Sequence, residues 1–146
     1  MLMPSMTLSE KINNIYAFAD MNDITVLPAV CPECRAMSAM SDSGACYIGI
    51  DYSVLNSETE ELVALTHEIG HCSTGAFYNM YSPFSLVSQQ EYRADVWAVK
   101  RLIPRAELMN ALNHGMTEVW ELAEFFTVPE KMIKLAFWVY FDKKIE

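Results

Sequence analysis

The sequence predicts an α+β fold, a short sheet or hairpin joined to about five or six helices, with the C-terminal part all helical. Three observations carry this. A helical pattern opens the chain, the only β-type runs lie between residues 24 and 50, and from residue 57 onward every periodic segment has helical spacing.

Thr7-Leu8-Ser9-Glu10 has the form of a capping box, and Ile12, Ile15, Tyr16 and Ala19 follow at helical spacing, which predicts a first helix to about Asp20. Ile24 to Leu27 is a β-branched run stopped by Pro28, a strand. Met37–Met40 and Ala45–Ile50 flank the polar turn Ser41-Asp42-Ser43-Gly44 and predict a hairpin. Ser57-Glu58-Thr59-Glu60 is a second capping box, opening a helix to about Ser73. Residues 74–87, with Gly75 and Pro83, read as loop. Helices are expected from Ser88 to Leu102, from Ala106 to Asn113 and from Thr117 to Phe126. Thr127-Val128-Pro129-Glu130 is expected to cap a last one to Phe141.

The length of 146 residues fits one domain, 1–146, divisible into a core at 1–104 and a helical extension at 105–146. The net charge of −9 argues against nucleic acid as a partner. Residues 1–99 hold three basic side chains against twelve acidic ones, whereas 100–146 hold seven of each. No apolar run approaches the roughly 20 residues of a membrane span, and no export signal opens the chain. These features predict a cytoplasmic protein with reduced thiols and no disulfide framework. Cys72 is then expected to face the core as a small hydrophobe.

The chemistry concentrates in His67-Glu68-Ile69-Gly70-His71. Residues four apart share a helix face, so both imidazoles can reach one ion. Glu68 points about 100° round the helix, where it can take a proton from water beside the ion. Two histidines, a third protein ligand and water form the catalytic zinc pattern, so one Zn²⁺ per chain is expected. Gly70 lets another backbone or a substrate approach closely. Glu91, on the next helix, is the best third ligand, and Asp95, one turn on, is placed to orient His67 or His71. The blander readings are a capping partner of Ser88 for Glu91 and a surface acid for Asp95.

The motif at 67–71, followed by Glu91-Tyr92-Arg93-Ala94-Asp95-Val96-Trp97-Ala98 and Leu102-Ile103-Pro104, resembles the ImmA/IrrE metallopeptidases. Tyr47-Ile48-Gly49-Ile50-Asp51 and Leu122 to Pro129 fit the same pattern, so the resemblance runs roughly from Ile12 to Phe141. It implies a zincin-like domain with Glu91 as third ligand. It also implies a cytoplasmic zinc endopeptidase of a phage or mobile element, acting on a helix-turn-helix repressor in an anti-repressor role. The alternative is a non-catalytic regulator-binding protein, or a toxin–antitoxin component, that retains a zinc site.

Oxyanion donors are open among Tyr78, Tyr81, Tyr92 and His114, the last also readable as a helix cap. Cys31 and Cys34 have zinc-knuckle spacing without a second pair, which favours plain loop cysteines over a second metal site. The paired helices at 117–126 and 129–141 look like a helix-turn-helix but expose few basic residues, so direct DNA contact is not expected. Trp120, Phe125, Phe126 and Trp138 form the candidate docking surface for a protein partner.

Overall fold

A computed structural model describes residues 2–146. Helix α1 (Leu8–Met21) leads into strands β1 (Ile24–Pro28), β2 (Ala36–Met40) and β3 (Cys46–Ile50). A short 3-10 turn (Tyr52–Val54) precedes five helices: α2 (Glu58–Thr74), α3 (Phe84–Leu102), α4 (Arg105–Asn113), α5 (Val119–Phe126) and α6 (Glu130–Phe141). The expected α+β class, with six helices and a helical C-terminal part, is what the chain forms.

Strand β3 is the centre of the sheet, flanked by β1 in parallel and β2 antiparallel. The predicted hairpin is β2–β3, and β2 is left as an edge strand. Side chains alternate across a strand, and Cys46, Ile48 and Ile50 of β3 are buried, so this face packs on the helical layer. Helix α2 runs beneath the sheet with Leu62, Leu65 and Ile69 fully buried. The core is continuous from Ile15 of α1 to Phe137 of α6. One polar fastening crosses it: the buried Lys11 ammonium donates to the Phe126 carbonyl at 2.7 Å, tying α1 to the end of α5.

Helices α2 and α3 pack closely because residue 70 has no side chain. A Cβ there would lie 2.8 Å from the Ala94 carbonyl oxygen and 3.2 Å from its Cα. The backbone of α3 occupies that space, and this places Glu91 and Asp95 opposite His67 and His71.

Several local expectations differ from the structure. Helix α3 begins at Phe84, a turn before the expected Ser88, with Pro83 at its N-cap. A proline suits a helix start, where its missing N–H would be unpaired anyway, and this outweighs the loop-like look of residues 84–87. Ser88 is therefore not a cap, and Glu91 lies inside the helix rather than in its first turn. Pro129, not Thr127, precedes α6; Thr127 instead ends α5 in the left-handed region at φ 56°. Ser57 caps α2 by accepting from the Glu60 N–H, but the Glu60 carboxylate accepts from the Asn56 N–H and from Arg35, so the box is only half formed. Phe126 is core rather than docking surface, while Trp120 and Trp138 are about half exposed.

The expectation of four reduced thiols is also corrected. Cys46 at the start of β3 and Cys72 in the last turn of α2 form a disulfide. Their Cα atoms lie 6.0 Å apart because α2 crosses under the sheet at that point, although 26 positions separate them in sequence. Cys31 is buried and Cys34 exposed, both as free thiols. No helix among the described residues is long and apolar enough to cross a membrane.

Two outcomes are expected. Alkylation of the denatured, unreduced protein should label Cys31 and Cys34 only, and all four cysteines after reduction; four labels without reduction would contradict the Cys46–Cys72 link. Gly70→Ala should destabilise the fold by about 1–3 kcal/mol, as expected of overpacking, and should weaken metal uptake because α3 must move away. Thermal melts and metal titration of this variant check both effects.

Candidate metal centre

Helix α2 supplies His67, Glu68 and His71, and α3 supplies Glu91 and Asp95. The structure thus brings together all five of the principal residues expected from sequence. Ligand atoms of His67, His71 and Glu91 lie within 4.8 Å of one another. His67 Nε2 is 2.9 Å from Glu91 Oε2, and His71 Nε2 is 3.3 Å from Glu91 Oε1. Ligand bonds of about 2.0–2.1 Å in tetrahedral geometry imply ligand atoms about 3.3 Å apart. The two histidine–glutamate spacings are at or slightly below that value and all three donors lie within 4.8 Å, so the set fits a zinc-sized ion after a small adjustment.

Each histidine is oriented through its other nitrogen. His67 Nδ1 donates to Asp95 Oδ1 at 2.8 Å. His71 Nδ1 donates instead to the backbone carbonyl of Ala76 at 2.5 Å. That carbonyl is available because α2 ends at Gly75, whose left-handed φ of 68° turns the chain back over the helix. Two α3 side chains hold the turn: Arg93 donates to the Thr74 carbonyl at 3.1 Å and Gln90 to the Phe77 carbonyl at 3.2 Å. The sequence reading missed Ala76, Gln90 and Arg93 in these roles. A backbone acceptor has no residue type to find it by, although Gly75 after the last helical turn marks where such a turn occurs.

The electrostatics are those of a charged cluster partly out of water. Burial pulls the His67 imidazole toward neutrality, but the Asp95 hydrogen bond and the charges of Glu68, Asp95 and Glu91 outweigh it and raise its pKa to about 8. Burial also raises the pKa of Glu68, against the opposing effects of the Ser38 hydroxyl and both histidines. Ser38 Oγ donates to Glu68 Oε1 at 2.8 Å.

The open oxyanion question narrows by position. The Tyr78 hydroxyl donates to Glu91 Oε1 at 2.6 Å, and this bond, with burial, raises its pKa to about 12, so it stays a donor. Tyr81 is 87% exposed on the loop, and Tyr92 is exposed on α3. His114 caps α4, donating through Nδ1 to the Asn110 carbonyl, and lines a separate hollow with Met116 and Glu121.

His67, Glu68 and Glu91 line a cleft of about 960 Å³ that runs along α2 between the 31–36 loop and Met132 and Leu135 of α6. A second hollow, of about 440 Å³, adjoins it on the other side of Glu68, lined by Met37, Phe77 and Tyr78. Cys34 lines both, its thiol raised to about 11 by desolvation and by the neighbouring Cys31 thiol, which leaves it protonated rather than nucleophilic. No second metal cluster involving Cys31 and Cys34 is present among the described residues.

A His-Glu-x-x-His helix crossed by a second helix carrying a carboxylate, under a small mixed sheet, defines a metallopeptidase-type domain. The profile of the IrrE N-terminal-like domain, peptidase family M78, matches residues 42–137, and the chain belongs to that family. This is the family anticipated from the motif and its downstream spacing. No curated protein matches the chain significantly.

The raised His67 value predicts a pH dependence for the chelated protein. The folded pKa of about 8 lies above the ordinary 6.5, so the stabilising contribution is full below pH 6.5 and is lost as pH rises through 8. The loss is on the order of 2 kcal/mol. Denaturant midpoints of metal-free protein should fall between pH 6.5 and 8, and His67→Gln should flatten that slope; an unchanged slope would remove His67 as its source.

Proposed function

We propose that the chain is a zinc-dependent endopeptidase in which His67, His71 and Glu91 hold the ion and Glu68 is the general base. The observation that carries this reading is the convergence of three ligand atoms, two of them on histidines already oriented from behind, beside a carboxylate that is not needed as a ligand. A purely structural zinc site closes with four protein ligands, and this set has three.

Zinc held there would polarise the scissile carbonyl and bring the pKa of a bound water to about 7. The protein's own groups perform the rest. Glu68 accepts the proton from the attacking water and returns it to the departing amine, as one residue acting first as base and then as acid. Asp95 and the Ala76 carbonyl keep the imidazoles aimed through Nε2. Tyr78, which lines the adjoining hollow beside Glu68 and bonds Glu91, is the oxyanion donor we assign, its bond to Glu91 exchanging for one to the developing charge.

The substrate we propose is a helix-turn-helix repressor of the same phage or mobile element, cleaved in the cytoplasm. Family membership and the acidic N-terminal two thirds of the chain support a protein substrate over nucleic acid. Trp120 and Trp138, exposed on α5 and α6, are the aromatic anchors we assign to docking.

The test is incubation with a repressor encoded alongside the protein, with and without chelator, read by mass spectrometry. One discrete cleavage, abolished by chelation, is expected. Glu68→Gln should keep zinc and fold yet lose at least about 10²-fold in cleavage rate. Repressor binding that is retained without any cleavage by the wild type would favour a regulator-binding role instead.

A further inference from the structure

Strand β2 turns a serine toward the helical layer at a position where the rest of the sheet puts hydrocarbon. Ser38 pairs with Ile48 of β3, and directly paired residues project to the same face. Ile48 is fully buried against the helices, as are Cys46 and Ile50 on either side of it. Ser38 therefore faces α2, and its hydroxyl donates to Glu68 Oε1 at 2.8 Å, thirty residues away in sequence. Ser41, Ser53, Ser57 and Ser82, by contrast, make side-chain hydrogen bonds only within four residues of themselves.

The Ser38 hydroxyl is the only hydrogen-bond partner of the Glu68 carboxylate among the described residues. Oε2 carries no such bond, and no side-chain oxygen is buried without a partner, so Oε2 reaches solvent. A glutamate has three rotatable bonds through which it can swing out of the cleft. A hydroxyl on a strand that is itself fixed to β3 opposes that swing.

We propose that Ser38 is a positioning residue for Glu68: its hydroxyl holds Oε1 and thereby presents Oε2 to the metal-facing side of the cleft. This rests on the reading of Glu68 as the base. It makes the edge strand part of the proton-transfer machinery, acting through Glu68.

The experiment uses acetohydroxamate, a small zinc chelator whose hydroxyl proton is taken up by a neighbouring carboxylate, titrated calorimetrically into the zinc-loaded protein. Ser38→Ala should keep one zinc per chain and an unchanged circular dichroism spectrum, yet bind acetohydroxamate about tenfold more weakly, the scale of one lost hydrogen bond to a charged group. Ser38→Thr, which restores the hydroxyl on a residue at home in strands, should recover the affinity. In a Glu68→Ala background, Ser38→Ala should have no further effect, because it acts only through that carboxylate. Wild-type affinity in Ser38→Ala, or an equal loss with and without Glu68, would overturn the proposal while leaving Glu68 as the base. Full affinity in Glu68→Ala, or absence of zinc uptake, would overturn the base assignment and the Ser38 proposal together.

Discussion

The contact between residue 70 and the backbone of Ala94 sets the geometry on which the rest of the site depends. Helix axes usually lie 8–10 Å apart, according to the side chains between them. With only hydrogen on residue 70, the α3 backbone comes to where a Cβ would stand 2.8 Å from a carbonyl oxygen. Ala94 lies between Glu91 and Asp95, one turn of helix apart, so the same approach presses both acids toward the two histidines one turn apart on α2. Glu91 then meets Nε2 of both rings and Asp95 meets Nδ1 of His67. Any residue larger than glycine at 70 would push both acids away together.

That arrangement gathers negative charge, and its cost is offset locally. Glu68, Glu91 and Asp95 surround two imidazoles, and against burial the Asp95 hydrogen bond together with these three charges lifts His67 above its ordinary pKa. In the metal-free protein the proton on His67 does part of the work that a divalent ion would do, neutralising the carboxylates that face it. Protons and metal therefore compete for the same nitrogens, as they must when the ligand is the neutral imidazole.

Much of this was legible from sequence because it follows from helical periodicity. His67, Glu68 and His71 declare themselves by spacing on one helix, and Asp95 by its spacing from Glu91. The capping boxes at Thr7 and Ser57 located the starts of α1 and α2 to within a residue. What escaped depends on contacts between elements with no periodic signature. The Cys46–Cys72 bond needs the crossing of β3 over α2. The Ala76 carbonyl on His71 needs the turn after Gly75. Ser38 on Glu68 needs the register of β2. The start of α3 was misplaced for a different reason: Pro83 and the aromatics after it suggest a loop, although a proline at a helix start disrupts nothing. Phe126 was read by residue type as surface; its place in the Lys11-fastened end of α5 makes it core.

The site is also divided between two kinds of support. The residues that would hold metal all sit on α2 and α3, two long helices fixed to one another at Gly70. The groups that would act on water and on developing charge are held differently: Glu68 by Ser38 on an edge strand, and Tyr78 by the turn after Gly75. Strand β2 has a neighbour on one side only, and the 76–83 loop is secured to α3 mainly through Gln90 and Tyr78. The two supports differ in what they reach. Ser38 bonds Glu68 alone, so a shift of β2 leaves the three ligand residues in place. Tyr78 bonds Glu91 itself, so a shift of the 76–83 loop is passed to the donor set through that carboxylate. Because hydrogen bonds weaken steeply with poor geometry, small displacements of either element act on the site, the edge strand on the base and the loop on a ligand.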